Sequence, residues 1–218
     1  MKPILSVKDL NISFMQDGVY FEAVNNISFQ VNKGETVALV GESGSGKSVT
    51  ALSTAALLGK AASVNGVVSI DGNTVDQNDE RALQRLRGGQ VSFIFQEPMT
   101  SLNPLHTIER QLSETISLHQ NLNKDRLRKN CITLLEKVGI TDIEFRLKAY
   151  PHQLSGGQRQ RVMIAMAIAN HPKILIADEP TTALDVTIQA QILNLLADLK
   201  KEFGMSMLFI THDLNIVR

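Results

Sequence analysis

The octapeptide Gly41-Glu42-Ser43-Gly44-Ser45-Gly46-Lys47-Ser48 constrains this chain more than any other stretch, because its G-x-x-x-x-G-K-S spacing falls between two recognisable elements. Before it, Val37-Ala38-Leu39-Val40 is a short apolar run that predicts a strand; after it, Val49 to Leu58 predicts a helix. Strand, glycine-rich loop and helix together are the setting in which such a spacing binds phosphate, whereas an ordinary glycine-rich turn needs no such flanks. The three glycines let the backbone curl round an anion, with successive N–H groups turned inward and the positive end of the helix facing it. Lys47 adds a mobile positive charge for β- and γ-phosphates, and the Ser48 hydroxyl is placed to ligate Mg²⁺. The predicted site takes in Gly41, Glu42, Ser43, Gly44, Ser45, Gly46, Lys47, Ser48 and Val49, and its ligand is a nucleotide.

The 218 residues fit one large α/β domain or a domain with an inserted subdomain, and 43% hydrophobic content is ample for a packed core. Lys plus Arg and Asp plus Glu number 22 each, so no net field recruits nucleic acid or an anionic membrane surface. Cys131 is the only cysteine, which excludes an intramolecular disulfide and disfavours a thiol metal site. No apolar run is long enough to span a bilayer and the N-terminus lacks the pattern of a secretion signal, so the expected compartment is the cytosol.

Leu5 to Phe14 and Val24 to Val31 carry apolar residues mostly at period two, as strands of a half-buried antiparallel sheet do, with a turn at Gln16-Asp17-Gly18. One aromatic of this region, Phe14, Tyr20 or Phe21, is a candidate to stack on the base of the nucleotide. Val64 to Ile70 predicts a strand closed by the hairpin signal Asp71-Gly72, and Asp79 to Arg87 a short charged helix. Val91 to Phe95 predicts a strand stopped by Pro98, which leaves Gln96 at a strand's C-terminal end, where α/β folds place ligand contacts. Gln96 is therefore a candidate for Mg²⁺ or for the attacking water.

From Thr107 to Val138 apolar residues recur at three and four, which predicts an all-helical insertion split by the polar segment Gln120 to Lys129. Arg126, Arg128 and Lys129 read as a solvated helix face. Leu154-Ser155-Gly156-Gly157-Gln158 leads into a helix from Arg159 to Asn170, so Ser155, Gly156, Gly157 and Gln158 form a second anion-binding helix start. Lys173 to Ala177 predicts a parallel strand covered on both faces, ending in Asp178-Glu179-Pro180. Two adjacent acids there are costly unless a cation or a proton transfer balances them. Asp178 can support Mg²⁺ through water and Glu179 can polarise the water that attacks a γ-phosphate. Asp185 opens a helix to Lys201, and a last strand, Met205 to Ile210, ends at Thr211-His212-Asp213, which offers His212 to the γ-phosphate.

In order and rough spacing, the loop at Gly41 to Ser48, Gln96, Leu154 to Gln158, Ile174 to Glu179, Asp185 and His212 resemble an ABC transporter nucleotide-binding domain over essentially the whole chain. The stretches Gln96 to Pro104 and Asp178 to Val186, with Tyr150-Pro151-His152-Gln153, are similar to the ATPase subunits of oligopeptide, dipeptide and nickel importers, and most narrowly to the first ATPase half of tandem importers of peptides and microcin C. The resemblance implies an α/β fold: a P-loop NTPase core with an antiparallel β subdomain and an α-helical subdomain inserted at about residues 100–155, all of 1–218 being one nucleotide-binding domain.

It also implies ATP as ligand, Mg²⁺ as cofactor, and head-to-tail pairing with a second ATPase domain, identical or not. Each ATP then lies between the P-loop of one domain and Ser155, Gly156, Gly157 and Gln158 of the other, with Asp185 contacting the opposite site. In that scheme Lys47 and Ser48 bind phosphates and Mg²⁺, Gln96 senses Mg²⁺ and the permease, Asp178 supports Mg²⁺, Glu179 is the base and His212 meets the γ-phosphate. Transmembrane permease subunits would dock between Gln96 and the helical insertion, a separate solute-binding protein would act indirectly, and the chain would sit on the cytoplasmic face of the inner membrane, with no nucleic-acid partner. Family members continue past the histidine, and the peptide-importer branch carries a C-terminal extension. The expectation for a chain ending at Arg218 is exposed apolar surface and weaker pairing.

A soluble ABC ATPase acting on nucleic acid or the ribosome would be expected to carry long insertions or basic arms, which the short helical insertion and zero net charge do not supply. A module in which nucleotide only holds a dimer together would not need Glu179 and His212. A kinase or GTPase would not carry the Leu154 pentapeptide, and the N-K-x-D base-reading motif is absent. Because the only predicted contact to the base is aromatic stacking, nucleotide competition should show little discrimination between ATP and GTP. A strong preference for GTP in that assay would contradict this reading of the base contact.

Overall fold

Alternation of apolar and polar side chains makes Pro3–Gln16 (β1) and Val19–Asn32 (β2) two long antiparallel strands in the computed structural model, which describes residues 2–16, 18–59, 61–97, 101–182 and 184–213. Asp17, Pro98, Met99, Thr100, Ala183 and residues 214–218 lie outside the described residues. Ala62–Ile70 (β4) pairs with the other edge of β1, and Asn73–Thr74 (β5) completes a sheet of order β2-β1-β4-β5. Between β4 and β5, Asp71 at φ 49° and Gly72 at φ 80° form the tight turn that the Asp-Gly pair predicts.

The second sheet is parallel. Thr36–Val40 (β3), Val91–Ile94 (β6), Ile174–Asp178 (β7) and Ser206–Thr211 (β8) run in the order β3-β8-β7-β6. Every residue of β7 and of β8 is buried, as a strand covered on both faces must be. Successive side chains therefore serve two cores. Ile174 and Ile176 pack with Leu5, Leu10 and Ile12 of the antiparallel sheet, while Leu175 and Ala177 pack with the helices on the other face.

Two helices follow the early strands: Lys47–Thr54 (α1) after β3 and Glu80–Leu86 (α2) before β6. The insertion between β6 and β7 holds Ile108–Ser117 (α3), Lys124–Lys137 (α4), Ile143–Lys148 (α5), a 3₁₀ turn at Pro151–Gln153 and Gly156–Ile168 (α6). Val186–Phe203 (α7) connects β7 to β8. No helix among the described residues is long and apolar enough to cross a membrane.

The structure corrects several expected boundaries. The polar segment Gln120 to Lys129 does not separate two helices throughout: α4 starts inside it, because the Asn123 side chain accepts the Arg126 N–H at 3.0 Å and caps the helix there. Arg128 is not merely solvated, since its guanidinium pairs with Glu109 and Glu144 and ties α3, α4 and α5 together. The helix after the glycine loop stops at Thr54 rather than Leu58, and Arg87 Nε donates to the Ala55 carbonyl at 3.1 Å just beyond that end. β6 ends at Ile94, so Phe95 lies outside it.

Leu112 in α3 is fully buried, whereas Leu105 is 82% exposed. Leu112→Ala should lower unfolding free energy by about 2–5 kcal/mol and Leu105→Ala by under about 0.5 kcal/mol. Urea midpoints for the two variants check the packing of the insertion.

Candidate nucleotide site

β3 delivers the chain to the glycine loop and α1 takes it away, so the loop is clamped at both ends. Gly46 has φ 87°, and a Cβ there would sit 2.5 Å from the Ala23 carbonyl oxygen of β2; only glycine fits between loop and sheet. Lys47 is the first residue of α1 and is only 8% exposed. Its ammonium donates to the Gly41 and Glu42 carbonyls at 2.8 and 2.7 Å. Both are neutral acceptors, so a buried positive charge stands at a helix N-terminus where an anion would stabilise it.

The next residue reaches across the sheet. Ser48 Oγ donates to Asp178 Oδ1, at the end of β7, at 3.0 Å. Burial pushes the Asp178 carboxyl above its ordinary range; the Ser48 hydrogen bond opposes that shift, and the neighbouring Glu179 charge reinforces it. Hydroxyl and carboxylate oxygens suit a hard cation. Among the described residues no cluster of three or more His, Cys, Asp or Glu could hold a metal. This donor set fits a Mg²⁺ that keeps water or phosphate oxygens in its shell.

Glu179 follows at φ 45°, a left-handed conformation for a residue with a side chain, fixed by its N–H to the Ile210 carbonyl at 3.0 Å. Its carboxylate gathers three elements. His212 Nδ1 lies 3.0 Å from Oε1, Gln96 Nε2 donates to Oε2 at 3.3 Å and Thr182 Oγ1 to the same oxygen at 2.9 Å. Burial works upward on this carboxyl, but hydrogen bonds from His212 and Thr182, with the charges of His212 and Lys47, outweigh it and hold it below the ordinary carboxylate range.

One open cleft of about 970 Å³ is lined by residues 42–49 of the loop and α1 start, by Gln96, Glu179 and His212, and by Phe14 and Phe21. Gly41 adjoins it through its carbonyl contact with Lys47, and Asp178 through Ser48. Of the three candidate aromatics, Tyr20 does not line the cleft. Ser155, Gly156, Gly157, Gln158 and Asp185 also lie outside it. Ser155 and Gln158 cap α6 reciprocally, with the Gln158 N–H on Ser155 Oγ at 3.3 Å and the Ser155 N–H on Gln158 Oε1 at 3.1 Å; Asp185 caps α7 by accepting the Ile188 N–H at 2.9 Å. Within one chain these residues do not meet the loop. The sequence reading missed Thr182 and the β2 residues Glu22 and Ala23 as cleft residues. A hydroxyl three positions after Glu179 was visible in the Asp178-Glu179-Pro180-Thr181-Thr182 run, whereas the approach of β2 depends on how the sheets pack.

A glycine loop, a buried lysine and a Ser–Asp pair at the carboxyl ends of parallel strands define a P-loop nucleotide-binding domain. The chain belongs to the ABC transporter family, whose profile, described as ABC transporter, matches residues 24–182. It is 61% identical over its whole length to the peptidoglycan transport ATP-binding protein YejF of Agrobacterium fabrum, of which it covers 40%. Over 98% of its length it is 50% identical to the glutathione import ATP-binding protein GsiA of Escherichia coli, of which it covers 36%. The chain thus spans about two fifths of the length of these curated relatives.

Among solved structures, the dimeric post-hydrolysis state of the ATP-binding cassette MJ0796 bound to ADP and Pi superposes with a TM-score of 0.85 at 31% identity, covering 97% of this chain and 89% of that one. CbiO1 from Clostridium perfringens, part of the ABC transporter complex cbiONQ, gives 0.82 at 29% identity, covering 100% of this chain and 81% of that one.

A carboxyl whose folded pKa is raised contributes stability that is present below its unfolded pKa and lost as pH rises through the folded one. Asp178→Asn should therefore raise the melting temperature at neutral pH, and the gain should vanish as pH falls through the ordinary carboxylate range. Thermal unfolding of both proteins from acid to neutral pH checks this; a destabilised variant at neutral pH would contradict it.

Proposed function

We propose that this chain is an ATP-hydrolysing subunit that energises ABC-type import of peptides or a related small solute. The observation that carries the chemistry is the Glu179 carboxylate held by His212, Gln96 and Thr182 in the same cleft as the Lys47 ammonium. Residues 41–49 bind the phosphates through loop N–H groups, Lys47 and the helix start, and Phe14 or Phe21 packs on the base. Glu179 accepts the proton of a water that attacks the γ-phosphorus while the bond to the bridging oxygen breaks, and Lys47 and His212 offset the charge on the phosphoryl oxygens. Ser48, Asp178 and Gln96 would hold Mg²⁺, which when bound neutralises phosphate charge.

Pairing with a second ATPase domain completes the site in this reading, bringing Ser155, Gly156, Gly157, Gln158 and Asp185 of one domain to the nucleotide of the other. Two facts support it: these residues lie outside the chain's own cleft, and MJ0796 is dimeric in its ADP- and Pi-bound state. Residues 1–218 act as one nucleotide-binding domain, with the helical subdomain at about 100–155 as its insertion. A groove beside that insertion, lined by Ser101, Asn103, His106, Gln111 and Leu118, is the place for a cytoplasmic loop of the permease at the inner face of the membrane. A separate solute-binding protein captures the cargo, and no nucleic acid takes part. The relatives named for peptidoglycan transport and glutathione import favour a peptide-like cargo.

Glu179→Gln should cut ATP turnover at least about 100-fold, the scale of a lost general base. With Mg²⁺-ATP the same variant should form a dimer that light scattering detects and that is absent without nucleotide. Equally slow turnover by the variant and the unsubstituted protein would leave a nucleotide-gated, non-hydrolytic module as the better reading.

A further inference from the structure

Thr182 lies on a short turn whose backbone is fixed from three directions. Gln160 of α6 donates to the Pro180 carbonyl at 2.7 Å, Gln189 of α7 to the Thr181 carbonyl at 3.3 Å, and the Glu179 N–H is held by Ile210 of β8. On this frame Thr182 grips Glu179 twice. Its N–H donates to the Glu179 carbonyl at 3.1 Å, and its hydroxyl to Glu179 Oε2 at 2.9 Å. The other two groups on that carboxylate are placed differently. Gln96 is exposed and belongs to a loop after β6, and the His212 side chain is 58% exposed. Thr182 is the one donor of the three that belongs to the turn carrying Glu179 itself, so its hold on the carboxylate does not depend on movement between strands.

We infer that Thr182 is a positioning residue for hydrolysis: its hydroxyl fixes the orientation of the Glu179 carboxylate, so that the other oxygen, Oε1, is left for proton transfer once His212 turns to the phosphate. The inference rests on the reading of Glu179 as the general base. It extends that reading by assigning the base its orienting partner, as second-sphere hydrogen bonds orient reactive groups elsewhere. Thr182 need not touch substrate for this. Its effect passes through Glu179, which makes the two residues a coupled unit whose substitutions cannot add.

Steady-state ATPase assays on the full-length protein, with T182V, T182S, E179Q and the double variant E179Q/T182V, decide the matter. T182V keeps the shape and loses the hydroxyl. It should lower kcat about tenfold, the effect of one hydrogen bond to a charged group, with KM and nucleotide affinity changed by under about twofold. T182S should recover kcat to within about threefold of the unsubstituted protein, because it restores the donor. In single-turnover measurements the double variant should be no slower than E179Q alone, and melting temperatures of T182V and T182S should agree. Equal kcat for T182V and the unsubstituted protein overturns the inference while leaving Glu179 as base. So does a further tenfold loss on adding T182V to E179Q, which would give Thr182 a role independent of that carboxylate. If E179Q itself turns over ATP normally, the reading of the base fails and this inference falls with it.

Discussion

Asp178 and Glu179 stand at the end of a strand whose other residues are all buried apolar side chains, and the cost of two adjacent carboxylates there is the constraint that the surrounding elements answer. Each answer comes from a different part of the chain. α1 sends Ser48 to Asp178 from 130 residues away in sequence. The loop after β6 sends Gln96, the end of β8 sends His212 and the turn before α7 sends Thr182, all to Glu179. The carboxylates differ because their partners differ. At Asp178 burial, with the Glu179 charge, outweighs the Ser48 hydroxyl and the Lys47 charge and raises the pKa. At Glu179 hydrogen bonds from His212 and Thr182, with the charges of His212 and Lys47, outweigh burial and lower it. Burial and hydrogen-bond donors thus shift two adjacent carboxyls in opposite directions.

The rest of the fold keeps these groups in register. In the parallel sheet Val40 pairs with Thr211, Asp178 with Ile210 and Ile94 with Ala177, so the glycine loop, Gln96, Glu179 and His212 all emerge from the same carboxyl edge. β7 and β8 can hold that edge still because both of their faces are covered: by the antiparallel sheet and α1 on one side, and by α3, α4, α6 and α7 on the other. The antiparallel sheet is part of the site as well as of the core. Its strand β2 presses against Gly46 and places Phe21 and Ala23 beside the loop.

What was legible in the sequence depended on whether the signal was local. The strand–loop–helix around Gly41 to Ser48, the hairpin at Asp71-Gly72, and the placing of Gln96, Glu179 and His212 at strand ends needed only spacing and apolar period, and the structure has those elements in those places. The start of α4 was not legible by period, because its first turn is polar and what fixes it is the Asn123 cap. Which of the three candidate aromatics lines the cleft was not legible, because it depends on the pairing of Phe14 with Phe21 across β1 and β2, which brings those two to it. Thr182 was in plain view, but its hydroxyl acquires a meaning only when the left-handed backbone of Glu179 folds the carboxylate back over the turn.

That turn also joins the cleft to the glycines that lie outside it. An added Cβ at Gly157 would sit 3.1 Å from Ile188 Cγ2, and one at Gly156 would sit 3.8 Å from Leu184 Cδ2, so the N-terminus of α6 packs directly on the start of α7 and the turn before it. Further along the same helix, buried Gln160 donates to the Pro180 carbonyl, one residue after Glu179. A ligand that draws on the N-terminus of α6 therefore acts on a helix already hydrogen-bonded to the segment that carries the carboxylate. Interiors this closely packed transmit small displacements rather than absorb them. The helix that begins at residues 156–158 is thus joined by packing and one hydrogen bond to the segment that carries Glu179, even though residues 155–158 do not line the cleft.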